Sequence, residues 1–442
     1  MISFQLLRPI RSILWSVALL LLGNGLINTL LTLTGSQAGF TSLVLGAIMS
    51  AYFCGFICGT WVSGRLIRRM GHIRTFAFCA SICATCALLH IIIVDPWFWL
   101  VLRFVYGLCY ITLITVIESW LNSQAARHER GRIFATYMVV NLGALAAAQQ
   151  ILRLDSGEPF LLFALVTLFI CWAMLPINIT RRPQPRLSEH PGSSLRQLAR
   201  MAPLPVVTAF LSGLAMGAFW GMTPVYVSSL GYGAAEVGTV MSLAILGGAL
   251  LQLPIGRYSD NHDRIGVLIK VVIAATVVAV LIPLAFTREL MFGAFALWGG
   301  LAFALHPLAV AQLIDQLSAD EVVSGSSDML VLHGAGCAVA PLLAGGIMTL
   351  AGPYGLPLYI AAVLALLGAY VAFRRRHVFD LVTGETAHFE PMVQTGGEVL
   401  QMMFDRSRPD LFDDPGFHDP EELDRRGGTY GKADTGTGKS AP

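Results

Sequence analysis

Arg103, Tyr106, Tyr110, Ile114 and Glu118 follow one another at spacings of 3, 4, 4 and 4. On an α-helix that spacing places all five on one stripe. The flanking sequence is apolar enough to lie in a lipid bilayer, where a lone cation or carboxylate costs about 2.5–3.5 kcal/mol. Charges kept at that cost point to work. Arg103 suits an anchor for a polar or anionic substrate group or for a proton-relay partner; the alternative is a structural tie between helices. Tyr106 and Tyr110 each offer a ring for stacking and a hydroxyl for hydrogen bonding. Glu118, near the end of the stripe, suits a proton carrier, or else pairs with Arg69, Arg130 or Arg132 to hold a gate.

Other polar groups sit in apolar surroundings. Asn24 and Asn28 are four residues apart, and buried amides either bind a substrate or glue neighbouring helices. Trp220 and Thr223 share one side of a later apolar segment. His306 and His333 fall near the middle of two more, and histidine is the side chain best suited to proton coupling near neutral pH; packing is the competing role for each. All eight cysteines lie inside apolar segments, including the pair Cys83 and Cys86. They read as packing residues, with no disulfide and no metal expected. The stretch Ala433 to Ser440 fits a loose phosphate-loop pattern, but only Ala441 and Pro442 follow it. A working loop needs a helix there to present its amides. No nucleotide site, cofactor or enzyme chemistry is expected, since no His/Asp/Glu cluster has ligand or triad spacing.

The elements that hold these residues follow from composition. The 442 residues are 55% hydrophobic and 13% charged, against about 25% charged in a soluble domain. A soluble enzyme, a disulfide scaffold and a disordered protein are excluded. Apolar segments recur at 13–25, 43–63, 75–94, 97–121, 133–152, 159–178, 204–229, 235–255, 266–287, 290–314, 324–350 and 356–373. Each must cross lipid as a helix, because backbone groups there have to bond internally. The first run follows Arg8 and Arg11, has no cleavage-site pattern and reads as a span.

Charge then gives orientation. Alternate loops collect 19 arginines, while the opposite loops hold Arg153 and Arg288; positive residues stay inside, so both termini are expected in the cytoplasm. Residues 1–376 carry a net charge of +9 and residues 377–442 a net of −7. The basic residues form short clusters without a continuous stripe, which excludes a nucleic-acid footprint. The acidic tail is Gly-, Asp- and Pro-rich and is expected to be disordered, with Leu411-Phe412 as a segment that a protein partner could take. The expected organisation is a six-helix bundle at 1–178, a cytoplasmic linker at 179–203, a second bundle at 204–376 and the tail at 377–442.

The two bundles repeat each other. A shift of 191–192 residues superposes Gly55 on Gly247, Gly64-Arg65 on Gly256-Arg257, and Met138 and Gly143 on Met329 and Gly334. Two similar rigid bundles can rock about one buried site and expose it to each side in turn.

Several motifs resemble those of the Major Facilitator Superfamily. Gly64-Arg65-Leu-Ile-Arg68-Arg69-Met-Gly71 resembles its signature loop, and Pro254-Ile-Gly256-Arg257-Tyr-Ser-Asp260 resembles the second copy. Arg103-Phe-Val-Tyr106-Gly107 resembles its intramembrane arginine motif. Tyr52-Phe, Glu118-Ser, Arg130-Gly-Arg132 and the stretch from Gly217 to Asp260 are similar to the YcaD-like bacterial branch. The likeness covers residues 12–374. It implies an all-α fold of twelve transmembrane helices in two pseudo-symmetric bundles, a cavity lined by helices one, four, seven and ten, and gating by the two signature loops with Arg130 and Arg132. Arg68 stands where the superfamily has an acid, and Asn261-His-Asp263 replaces the usual end of the second copy. The Gly-Pro pattern of the superfamily's antiporters is missing from the fifth span, which argues against drug/proton antiport.

The resulting expectation is a monomeric secondary transporter of the bacterial inner membrane. It would move a small polar or amphipathic metabolite by alternating access, coupled to protons through Glu118, His306 or His333. Asn24, Asn28, Arg103, Tyr106, Tyr110, Trp220, Thr223 and His306 are the expected cavity residues. A multidrug or xenobiotic exporter is the alternative within the class, favoured by an aromatic, Met-lined cavity. A sensor or scaffold acting through the acidic tail is the alternative outside it.

Overall fold

The computed structural model describes residues 10–124, 130–155, 157, 159–178, 195–317, 319–375 and Met392. Most of the linker, the loop around Arg127, the phosphate-loop-like stretch and Leu411-Phe412 lie outside the described residues. Among the described residues, twelve helices are long and apolar enough to cross a membrane. They are α1 (Arg11–Gln37), α2 (Ser42–Met70), α3 (His72–Ile92), α4 (Pro96–Gln124), α5 (Arg130–Gln150) and α6 (Pro159–Asn178), then α7 (Pro203–Ser229), α8 (Ala234–Asp260), α9 (Arg264–Leu281), α10 (Arg288–Ile314, in two pieces), α11 (Ala319–Ala351) and α12 (Gly355–Arg375). A short helix, Leu195–Met201, precedes α7. An even number of antiparallel crossings leaves Arg11 and Arg375 at the same face, called here the terminal face.

Four spans differ from the hydropathy reading, each for a physical reason. The first runs to Gln37 rather than ending at 25, because Asn24, Asn28, Thr29, Thr32 and Thr34 are buried against other helices and never meet lipid. The α2 and α8 helices continue through the motifs read as loops, so Gly64, Arg65 and Arg69 occupy the last turns of α2, and Gly256, Arg257 and Asp260 those of α8. Only Gly71 makes the turn into α3, at φ 81° and ψ 164°, a region that side-chain-bearing residues avoid. The tenth span, read as one helix, is broken into Arg288–Ala302 (α10a) and Leu305–Ile314 (α10b). Pro307 has no N–H to offer the carbonyl of Phe303, four residues back.

The duplication is written into the closest backbone contacts. A Cβ on Gly55 would strike the carbonyl oxygen of Phe104, and one on Gly107 that of Tyr52, so α2 and α4 cross with their backbones touching. At an offset of 192, Gly247 meets Ala296 O and Gly299 meets Ala244 O, bringing α8 onto α10a. Gly25 packs on Leu145 and Ala148 of α5; Gly217 packs on Cys337 and Ala340 of α11. The fifth and eleventh helices thus match at 192 in these contacts. Small residues let helices approach closely where lipid supplies no hydrophobic drive.

Substituting leucine at Gly55 or Gly247 forces the crossing apart. Each change is expected to destabilise by at least about 1–3 kcal/mol, read as a lower thermal midpoint in detergent. Gly143→Leu, whose Cβ would meet nothing within 4 Å, is expected to leave the midpoint in place.

Candidate functional site

The halves meet along two seams that obey the same offset. In one, Gly46 of α2 lies against the Pro341 carbonyl of α11, and Ser50 Oγ accepts from the Leu342 N–H at 3.1 Å. In the other, Gly238 of α8 lies against the Gln149 carbonyl of α5, and Ser242 Oγ accepts from Gln150 Nε2 at 2.7 Å. Ser242 also donates to Ala146 O at 2.8 Å, Arg153 Nη2 donates to Thr239 Oγ1 at 2.9 Å, and the Leu43 N–H donates to Thr349 Oγ1 at 3.1 Å. All of these groups lie toward the face opposite the termini. The bundles are therefore clamped together at that face.

Between the halves lies a cavity of about 90 Å³. From the first half only α2 contributes, through Tyr52, Phe53 and Phe56. From the second come Met216 and Trp220 of α7, Ala302, Phe303 and His306 at the α10 break, and Leu330, His333, Gly334 and Cys337 of α11. Met392, from beyond α12, completes the lining. The walls are aromatic and thioether-rich: Trp220 and Phe303 sit edge to face at 5.7 Å, both against Phe219.

His306 and His333 place their rings 4.2 Å apart at 37°. His333 Nδ1 is held 3.2 Å from both Ser212 Oγ and the Ala209 carbonyl, whereas neither ring nitrogen of His306 has a hydrogen-bond partner. The break itself is stitched by Gln252 of α8, whose Nε2 donates at 2.8 Å to the Phe303 carbonyl that Pro307 leaves free.

Behind Tyr52 lies a second, polar region inside the first half. Arg103 is fully buried, with Nη2 donating to Asn28 Oδ1 at 2.5 Å and lying 3.8 Å from Met49 Sδ. Its guanidinium carbon is 4.4 Å from the Tyr52 ring centroid and 5.4 Å from that of Tyr106. Desolvated cation–π contacts contribute about 2 kcal/mol and a charged hydrogen bond about 1.5–3 kcal/mol. Together they match the roughly 2.5–3.5 kcal/mol cost of insertion, so no carboxylate is required. Nε and Nη1 remain without partners. Tyr52, Tyr106 and Tyr110 cluster at centroid distances of 6.2–6.3 Å, and Asn24 lies beside the Tyr52 and Tyr110 side chains. Farther down the α4 stripe, Glu118 is buried and its Oε1 accepts from the Tyr137 hydroxyl at 3.1 Å.

The structure thus divides the residues singled out from sequence. Trp220, His306 and His333 line the cavity. Asn24, Asn28, Arg103, Tyr106 and Tyr110 form the polar region next to it, and Thr223 is buried in α7 outside the lining. Glu118 sits apart, toward the terminal face. Of the gating residues, Asp260 holds Arg264 at 3.2 Å, and Arg264 reaches Asp315 Oδ2 at 3.0 Å, all within the second half. Arg65, Arg69, Arg132 and Arg257 are exposed at the terminal face, and Arg130 is half-buried. Among the described residues no group of three or more metal-ligating side chains forms a metal site. Sequence reasoning did not assign Phe53, Phe56, Met216, Phe303, Gln252 or Cys337 to the site. Gly299-Gly300 followed by Pro307 was the signal for the α10 break, and with it for Phe303 and Gln252; the others are apolar residues in apolar helices and carry none.

Gln252→Ala removes the donor that covers Phe303 O and is expected to cost about 1–3 kcal/mol. Adding Pro307→Ala restores a backbone N–H to that carbonyl. The double variant is therefore expected to melt above Gln252→Ala alone, a coupling that thermal unfolding measures directly.

The Major Facilitator Superfamily model matches residues 13–327 and 206–393. A protein of Salmonella arizonae, described as an uncharacterized MFS-type transporter YcaD, is 29% identical over 336 residues, which is 76% of this chain and 87% of that protein. Among solved structures, a mutant of the nucleoside transporter NupG superposes with a TM-score of 0.70 at 14% identity, covering 82% of this chain and 99% of that one. A bacterial homolog of the human lysosomal transporter Spinster, in an inward-facing and occupied conformation, superposes with a TM-score of 0.66 at 13% identity, covering 83% and 96%.

Proposed function

We propose, for a chain that belongs to the Major Facilitator Superfamily and is a multi-pass membrane transporter, that it moves an amphipathic small molecule by alternating access. The carrying observation is the position of Tyr52, whose ring covers Arg103 at 4.4 Å and also lines the inter-half cavity. A substrate with an apolar or aromatic body would occupy the cavity. Its anionic or polar head, on displacing the Tyr52 ring, would meet the two unpartnered donors of Arg103. The internal repeat supports this division. At an offset of 192, Asn24 and Asn28 correspond to Met216 and Trp220, and Arg103 and Tyr106 correspond to Phe295 and Trp298. One frame carries a polar surface in the first half and an apolar surface in the second.

The terminal face is assigned to the cytoplasm of a bacterial inner membrane, because Arg65, Arg68, Arg69, Arg74, Arg257, Arg264, Arg374 and Arg375 gather there. With the opposite face clamped, the conformation is inward-facing. Proton coupling is assigned to the His306–His333 pair, which shares the cavity with the substrate, so that a proton and the substrate feel the same change of access. Glu118, held by Tyr137 in the first half, is assigned to the inner gate.

Proteoliposomes offered aromatic carboxylates, neutral aromatics and sugars test the reading. Flux is expected for the carboxylates, falling at least about tenfold in Arg103→Ala and in Tyr52→Ala, a loss of about 1.4 kcal/mol or more. His306→Gln is expected to abolish accumulation driven by a pH gradient while sparing substrate exchange. The aromatic, Met-lined cavity also favours a broad exporter. That reading takes over if neutral or cationic aromatics move fastest and Arg103→Ala is silent.

A further inference from the structure

Lys270 is the only lysine in residues 1–431, where every other strong base is arginine. It lies six residues into α9, about 9 Å along the axis from Arg264, and it is exposed. That depth is inside the span, so its stem runs along apolar surface while the ammonium reaches back toward the interface. It reaches Tyr258, near the end of α8: Nζ donates to the hydroxyl oxygen at 3.3 Å and lies 5.4 Å from the ring centroid. His262 stacks on the same ring at 4.0 Å and 20°, and its Nδ1 donates to the Tyr258 carbonyl at 2.9 Å. The ring is thereby held in place beside the ammonium.

Hydrogen-bond donors converge at this corner. An ammonium has three N–H bonds and gives one to Tyr258, while the Tyr258 hydroxyl, having accepted, keeps its own proton to donate. Among the described residues no carboxylate pairs with Lys270: Asp260 holds Arg264 at 3.2 Å, and Asp263 holds Arg375 at 3.1 Å while capping the start of α9. Exposed Arg257 adds positive charge next to Tyr258. Away from the terminal face the neighbouring exposed residues are apolar. Leu250 and Pro254 precede Tyr258 at spacings of four, and Ile273 and Val277 follow Lys270 at spacings of three and four. Each set lies on one helix face, and the contact between Lys270 and Tyr258 joins the two stripes at their polar ends.

We propose that this corner of α8 and α9 binds one anionic glycerophospholipid, with its phosphate on Lys270 Nζ and the Tyr258 hydroxyl and an acyl chain along the two apolar stripes. Charged partners form the stronger hydrogen bonds, and basic groups at the membrane surface attract anionic lipid. A zwitterionic headgroup fits less well, because its ammonium needs a carboxylate and Asp260 and Asp263 already hold arginines. Free phosphate would use the donors but gain nothing from the stripes. Tyr258 is two residues from Asp260, which together with Asp315 holds Arg264. A bound lipid therefore braces the same end of the second half. The competing role for such a pair is plain interfacial anchoring, with no preference among headgroups.

Lys270 reports on its own site, since acylation of its amine by a neutral succinimidyl ester is read by peptide mass spectrometry. The full chain carrying Arg74→Lys, at an exposed position on the terminal face of the first half, gains a second amine that feels surface charge but not the site. Nanodiscs of phosphatidylcholine alone are compared with discs that also contain phosphatidylglycerol. Phosphatidylglycerol is expected to slow acylation of Lys270 at least about fivefold more than that of the introduced amine, as when a ligand covers most of the population. Tyr258→Phe, which removes only the hydroxyl, is expected to lose most of that extra protection. Inorganic phosphate added to phosphatidylcholine discs is expected to protect neither amine. Slowing of both amines by the same factor, which is the outcome for plain anchoring, overturns the proposal. Undiminished protection in Tyr258→Phe, or equal protection by inorganic phosphate alone, also overturns it.

Discussion

The carbonyl oxygen of Tyr52 rests where the Cβ of any residue but glycine would stand at position 107. That contact sets the distance between α2 and α4, and the geometry of the site follows from it. Gly107 is one helical turn from Arg103, so seating the Tyr52 backbone there brings the Tyr52 ring over the guanidinium. The same ring then forms part of the cavity wall. A wider crossing would leave Arg103 without its cation–π face and facing the full cost of burial. The polar region and the cavity are thus two consequences of one backbone contact.

Duplication explains why the frame is so regular and why its contents are not. Contacts between glycine and carbonyl recur at an offset of 192 within each half and again at the two seams between halves. Those positions bear on backbone spacing, where only small residues fit. Positions facing inward carry no such constraint, and there the halves have diverged: amides, Arg103 and tyrosines on one side, Met216, tryptophans and Phe303 on the other. The break in α10 adds a second asymmetry. It frees one carbonyl, and Gln252 covers it at the point where the cavity is deepest in aromatic side chains.

Much of the fold was legible in the sequence because lipid leaves few alternatives. Twelve apolar runs must be helices, and the repeat and loop charges order them. The limits of that reading are equally physical. Hydropathy ended the first helix at 25 because it cannot distinguish a polar residue facing water from one, such as Asn28, bonded to a neighbouring helix. It joined α10a to α10b because Phe303 and Ala304 are as apolar as the helices they separate. The α4 stripe was visible from spacing alone, since Arg103 and Glu118 stand out against leucine. Phe53 and Phe56 were not, because an aromatic residue in a membrane helix looks the same facing lipid, packing or substrate. Met392 had no signal at all, because its place in the lining depends on a cavity that no local pattern encodes.

Alternating access requires two rigid halves that separate at the clamped face when the cavity changes sides. Electron–electron distance spectroscopy between spin labels at Leu43→Cys and Leu350→Cys, both exposed near that face, measures the separation directly once Cys54, Cys58 and Cys171 are replaced by serine. A second pair within the first half, at Leu43→Cys and Val139→Cys, serves as the rigid reference. One short distance across the seam is expected at rest, and a second, longer one when a transported substrate or a change of pH is applied, with the reference distance constant. A single short distance across the seam under every condition that supports flux would contradict a rocking mechanism.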